Sequence, residues 1–413
     1  MLKKGINYGT IQMFSVLYIV VWTISPFMEI DMIYRLLGVA FAGLWAFILI
    51  LRQKPLLIET NTIFALVFLV AVVGVTYIET GKASGIIKQI SYFMIVICFI
   101  ICQYYKKQWD ELKMIVPVVL ILLIVFNFRT YSALLQDPSL ARQLVRDDAN
   151  MYQYLRQGIG GYSLIYPQVC VFPALLQWTI CAFKNNKLLF ALGAVNICSF
   201  LLVIFNAGYS IAIFTTAVGT FLLFYRGNSG VKAFFVALII FVTIMYLILN
   251  VEGFRNWILE TFPSRAVHNK INDLMASAES GDASGSIAAR MSRYSASIRK
   301  IFIYPIIGAL WRDGGGGHSA VLDTFAKYGL WGGALYCFMI YFVPNSYKRK
   351  YENKYIQRTC NATLVAIMTV SILDSFTYSF SGMIFIVLSL YLEAILKWTG
   401  DNNENSLDSK SYT

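Results

Sequence analysis

Between residues 290 and 333 the chain reads RMSRYSASIRKIFIYPIIGALWRDGGGGHSAVLDTFAKYGLWGG, and its chemistry-capable side chains are concentrated there. On a helix over 287–304, Arg290, Arg293, Ser297 and Lys300 share one side, while Met291, Tyr294, Ile298 and Ile301 or Phe302 take the other. Neighbouring cations on one face repel by roughly 0.2–0.5 kcal/mol per pair. An anion would relieve them: a lipid headgroup, a lipid-linked pyrophosphate or a protein carboxylate. Arginine suits phosphate oxygens because its planar fork binds them bidentately and tolerates partial desolvation. A helix resting on anionic headgroups accounts for the same row of charges.

His318 is one of two histidines and lies between Gly314–Gly317 and a helix beginning at Ser319. A helix N-terminus disfavours the imidazolium, so this ring should be neutral near pH 7, as a general base must be. Such a base could take a proton from a sugar hydroxyl; the bland alternative is an imidazole that caps its own loop. His268, among polar residues on a helix, reads as structural. Asp323, five residues after His318, and Asp374, near the end of a later apolar run, are the candidates for orienting the ring. The four glycines lack a following GK[ST] and a preceding buried strand, so they read as a hinge rather than a P-loop, although backbone N–H groups there could form an anion nest. No carboxylate pair or DxD-type motif accompanies them, which points to chemistry without a metal or other cofactor.

A second arginine-bearing stretch precedes these residues, RTYSALLQDPSLARQLVRDDANMYQYLRQGIGG over 129–161. The pattern predicts a helix near 138–155 with Arg142 and Arg146 four apart on one face. Asp147 and Asp148 could neutralise them on a merely solvated surface helix. Gly158, Gly160 and Gly161 then allow a tight turn back.

The elements that hold these stretches are apolar. Of 413 residues, 58% are hydrophobic and only 14% charged, which excludes an ordinary soluble protein and predicts an integral membrane protein. Spans of roughly 17–25 residues fit near 11–28, 33–51, 57–78, 86–105, 112–128, 161–183, 188–206, 209–225, 232–250, 320–345, 359–379 and 381–398, about twelve in all. The first, behind Lys3 and Lys4, is read as an anchor and not a signal peptide, since no small-x-small cleavage site follows it.

The net charge of +12 lies largely in alternate short connections: Lys3 and Lys4; Arg52 and Lys54; Lys106, Lys107 and Lys113; Lys184 and Lys187; Arg226 and Lys232; then the dense run from Lys348 to Arg358. That is the positive-inside pattern, with both termini cytoplasmic and the loops 129–160 and 251–319 outside; no nucleic-acid module is visible. Residues 1–398 form a single transmembrane domain, and 399–413 a disordered tail. In the second outer loop a stripe of Trp257, Ile258, Phe262, Val267, Ile271, Leu274 and Met275 predicts an interfacial helix near 254–278. A flexible joint follows at 280–286, and after the Gly-rich turn a helix runs from about Ser319 to Tyr328, stopped by Gly329. The cysteines (Cys98, Cys102, Cys170, Cys181, Cys198, Cys337, Cys360) sit in apolar runs without metal spacing and read as buried free thiols.

Taken in order, Arg290-Met-Ser-Arg-Tyr294, Pro305-Ile-Ile-Gly308 and GGHSAVLDTFAKYGLWG resemble the shared core of the O-antigen polymerase and ligase superfamily, which includes Wzy-type capsule and O-antigen polymerases. Ala141-Arg142-Gln-Leu144 and Gly160-Gly-Tyr-Ser-Leu-Ile-Tyr166 are similar to the polymerase pattern in the preceding loop. Gly-Gly-His-Ser with Leu-Asp, in place of His-Asn, looks more like a capsule polymerase than a ligase. The resemblance implies an all-α polytopic GT-C-type glycosyltransferase of the cytoplasmic membrane. Its substrates would be oligosaccharide repeats on undecaprenyl pyrophosphate, delivered by a flippase, with a chain-length regulator as a further partner. It implies Arg142 and Arg290 at the pyrophosphate with Arg293 in support, Arg146, Tyr294 and Asp323 toward substrate, and His318 as base or acceptor-orienting group. One departure is that ALWRD interrupts the usual glycine spacing after Pro-x-x-Gly, so Arg312 either intrudes on the site or is solvated. Two other readings stand beside this one: a ligase with a different acceptor, and a transporter or flippase of the same lipid, though the two halves lack the self-similarity usual in transporters.

Overall fold

The computed structural model describes residues 8–52, 60–81, 114–137, 149–225, 246–261, 285–310, 316–374 and 378–399, with isolated residues between them. All regular structure among these is helical. In chain order the helices are α1 (Tyr8–Ile24), α2 (Pro26–Ile30), α3 (Met32–Arg52), α4 (Thr60–Thr80), α5 (Ile115–Gln136), α6 (Ala149–Arg156), α7 (Tyr162–Asn185), α8 (Lys187–Ala207), α9 (Ser210–Phe224), α10 (Glu252–Thr261), α11 (Gly285–Ile303), α12 (Ala320–Lys350), α13 (Lys354–Leu373) and α14 (Tyr378–Thr399).

The chain is a membrane protein. Among the described residues five helices are long and apolar enough to cross a bilayer (α3, α5, α7, α8 and α13), and α1, part of α4, and α9 are shorter apolar helices. The spans expected near 86–105 and 232–250 fall largely outside the described residues, as do most of 262–284 and the tail beyond 399.

Several boundaries differ from expectation, and proline accounts for two. The first span is not one helix: Ser25 is extended ahead of Pro26, and the chain restarts as α2. The span expected to end at 128 instead continues to Gln136, because residues 129–136 carry no Gly or Pro. It stops where Asp137 turns extended before Pro138. Of the helix expected over 138–155, the described part is α6.

α7 is the hub of the bundle and packs against α8, α9, α13 and α14. Trp178 is fully buried on it, and Pro167 and Pro173 lie inside it. Neighbours approach it through small residues: a Cβ on Gly193 would fall on Thr179, and one on Gly219 would crowd Pro173. Its buried Gln168 forms a reciprocal amide pair with Asn127 of α5, at 2.9 and 3.0 Å, and Asn127 also reaches Ser199 of α8 at 3.4 Å. In a medium without water, paired amides of this kind fix which faces meet. The five described cysteines are free, but only Cys170 and Cys360 are buried, and Cys198 is exposed.

Candidate functional site

The site forms where α11 lies across the ends of α12 and α13. A helix C-terminus leaves carbonyls without intrahelical partners and carries partial negative charge. Leu373, the last residue of α13, presents such a carbonyl, and two side chains one turn apart on α11 converge on it. Arg290 donates from Nη1 at 2.9 Å and Tyr294 from its hydroxyl at 2.7 Å. The next residue, Asp374, is 1% exposed and carries the complementary charge, 3.5 Å from Arg290 Nη2. The Tyr166 hydroxyl of α7 donates to the same carboxylate oxygen at 2.6 Å. Tyr162 packs against Tyr166 and Tyr209. Burial is the largest single influence and would lower the affinity of Arg290 for its proton, but the Asp374 carboxylate and the Tyr294 and Tyr166 hydroxyls together outweigh it and the net shift is upward. Arg290 is therefore a fixed, charged group anchored at two points.

The Gly-rich turn is seated by hydrogen bonds as well. Ser297, buried on α11, donates to Asp323 Oδ1 at 2.6 Å and accepts from the Gly316 N–H at 2.8 Å. Asp323 also accepts from the Gly316 and Ser319 N–H groups, at 3.1 Å each. Ser319 caps α12 by accepting from the Leu322 N–H, and the Ala320 N–H donates to the Asp374 carbonyl. Gly316 lies so close to α11 that a Cβ would fall on the Arg293 carbonyl, and Gly317 has φ of 75°. The two glycines thus bring His318 back toward α11 as a hinge, while Asp323 clamps the loop.

His318 is half-buried, and its Nε2 lies 2.6 Å from Arg293 Nη1. A guanidinium can only donate, so Nε2 accepts and the ring proton belongs on Nδ1. Burial first, then Arg293 and Arg290, push the imidazole below its ordinary 6.5, against smaller opposing effects of Asp374 and Asp323. The expected neutrality thus has causes beyond the helix terminus invoked for it. The expected orienting carboxylate is also corrected: Asp323 holds the loop backbone, Asp374 holds Arg290 and Tyr166, and the ring's hydrogen-bond partner among the described residues is Arg293.

Pro305-Ile-Ile-Gly308 has a structural role. After α11 the chain turns through Gly308, with φ of 80°, and runs against the point where α12 breaks at Gly329, with φ of 71° and ψ of −169°. The expected helix from Ser319 and its stop at Gly329 are both found. Ala309 and Leu310 donate to the carbonyls of Ala326 and Lys327, and Leu330 donates to Pro305. These bonds satisfy two carbonyls and one N–H freed by the break. A Cβ on either glycine would strike the backbone of the other segment, so the contact requires glycine on both sides.

The structure brings together Arg290, Arg293, Tyr294, His318 and Asp323; Arg142, Arg146 and Arg312 lie outside the described residues. Sequence reasoning overlooked Ser297 as a junction and Tyr166 as the partner of Asp374. Ser297 had one signal, its position four residues after Arg293 on the polar face, whereas nothing local in the sequence links Tyr166 to Asp374 across 208 positions. The faces of α11 are as expected but for Tyr294, which joins Arg290. The polar side is turned onto α12 and α13, while Met291, Ile298, Phe302, Ile303, Ile306 and Ile307 are exposed, Phe302 at 80%. The basic stretch Lys348–Lys350 precedes α13, and Asp374 follows it. Twenty helical residues, about 30 Å, separate the basic end from the site. Compared with known proteins, the chain matches no protein-family model and no curated protein.

Proposed function

We propose that the chain is a polysaccharide polymerase of the cytoplasmic membrane, a polytopic enzyme of GT-C architecture with about twelve spans. It transfers a growing glycan from undecaprenyl pyrophosphate to the non-reducing end of another lipid-linked repeat on the outer face. The observation that carries this reading is the pairing of an anchored arginine and an exposed one with a neutral histidine. Transfer from a glycosyl pyrophosphate needs cations for the charge developing on the leaving group and a base for the attacking hydroxyl. Arg290 and Arg293 supply the first need and His318 the second.

An outer-face location is supported by the basic connection about one bilayer thickness from the site along α13, since the positive-inside rule favours a cytoplasmic side for such a connection. The exposed apolar side of α11 suits the level of the membrane surface, where a polyprenyl pyrophosphate presents its headgroup. The test is to reconstitute purified protein with defined undecaprenyl-pyrophosphate repeats in chelator-treated buffer and resolve the products by length. A ladder is expected, and it should vanish in His318→Ala and Arg290→Ala proteins that still insert. Failure to extend active lipid beyond one unit would overturn polymerisation, and transfer only to a foreign acceptor would make the enzyme a ligase.

A further inference from the structure

The two arginines that share a helix face do not share a state. Arg290 is half-buried and tied to Leu373 and Asp374, whereas Arg293 is exposed and its guanidinium lies on His318. The Nε2 lone pair that a general base would use is therefore occupied. Bonding by a cation is a poor preparation for accepting a proton, since it both covers the lone pair and repels the imidazolium that would form.

We infer that Arg293 is an anion-released latch on His318: a phosphate or pyrophosphate group draws the Arg293 guanidinium off the ring and thereby exposes the basic nitrogen. This rests on the polymerase reading for its catalytic meaning, but the latch itself concerns only an anion and a ring. Phosphate oxygens are a stronger partner for a guanidinium than a neutral imidazole, because both members are charged and the fork can engage two oxygens. Among the described groups around the ring, Arg290, Asp374 and Asp323 already have partners of their own, so Arg293 is the cation free to respond. With the latch open, the acceptor hydroxyl gives its proton to Nε2, its oxygen bonds to the anomeric carbon, and the carbon–oxygen bond to pyrophosphate breaks with the electron pair leaving on phosphate. Return of Arg293 would then help the imidazolium shed its proton. An empty site thus holds its base covered until an anion arrives.

The inference can be tested without turnover, using the rate at which diethyl pyrocarbonate modifies each histidine, read by peptide mass spectrometry. The full-length protein is held in phosphatidylcholine nanodiscs, with inorganic pyrophosphate added or omitted. His268 is the internal reference. Pyrophosphate should raise the His318 rate about tenfold, the factor a charged hydrogen bond represents, and leave His268 unchanged. Arg293→Gln should react fast from the start and ignore pyrophosphate, and Arg293→Lys should respond only weakly. Phosphatidylglycerol nanodiscs distinguish the source of the anion. A fast His318 there without pyrophosphate means that headgroups release the latch, and a slow one means that release needs pyrophosphate. Equal His318 rates with and without pyrophosphate in both lipids, or an equal rise at both histidines, would overturn the latch even if polymerisation is confirmed. Release by pyrophosphate would stand even if no ladder forms.

Discussion

Asp374→Asn isolates what a buried carboxylate does for Arg290. At 3.5 Å, and with an effective dielectric of about 20, the bare attraction is about 5 kcal/mol. The arginine side chain is 27% exposed, so solvent screens part of this. Asparagine still accepts from Tyr166, and Arg290 keeps its bond to the Leu373 carbonyl. A net loss of about 1–3 kcal/mol in stability is expected, read as a lower unfolding midpoint in nanodiscs. The effect on catalysis should divide unevenly. The site gains one positive charge, so ground-state attraction for pyrophosphate does not weaken, and KM for donor lipid should stay level or fall. The guanidinium has lost one of its two anchors and with it a defined orientation, so kcat should fall by about tenfold to a hundredfold. A variant with wild-type kcat and unfolding midpoint would refute the anchoring role. A raised KM at unchanged kcat would show that Asp374 serves binding and not orientation.

Arg290→Lys keeps the charge but cannot reach Leu373, Asp374 and a phosphate with one ammonium, so chain elongation should fall about a hundredfold to a thousandfold, measured as initial rate. Because burial, Arg293 and Arg290 hold His318 below 6.5, against Asp374 and Asp323, the acidic limb of the rate profile should lie below that pH. In Arg293→Gln the limb should move to higher pH. The sign for stability is the same: the unfolded chain binds this proton more readily, so the contribution is complete above 6.5 and is lost as pH falls through the folded value. Gly316→Ala places a methyl on the Arg293 carbonyl and should abolish activity by displacing His318 while the protein still inserts, checked by comparing ladder formation with monodisperse yield.

Much of the site was legible because it depends on short-range rules. Helix periodicity put Arg290, Arg293 and Ser297 together, and Gly329 ended its helix where a residue with positive φ was expected. The all-helical membrane character followed from apolar runs alone. Other features depended on pairs remote in sequence. Asp374 was visible as an intramembrane-level acid, but its partner could not be read, because Arg290 and Tyr166 come from two other helices. The break before Pro26 and the continuation to Gln136 shifted span ends because proline placement, rather than hydropathy, decided them.

The outward-facing apolar side of α11 has a consequence for how the site is kept together. In a soluble protein an amphipathic helix is held by the greasy side it buries, and its polar side is free to vary. Here the polar side is bonded to the rest of the chain, and Met291, Ile298, Phe302 and Ile306 are left open. In the proposed setting at the membrane surface, the surrounding lipid would serve these residues as a missing half of the core. Acyl-chain length and packing would then alter the seating of Arg290 and His318 without any change in sequence, and gentle delipidation would inactivate the protein as surely as a substitution.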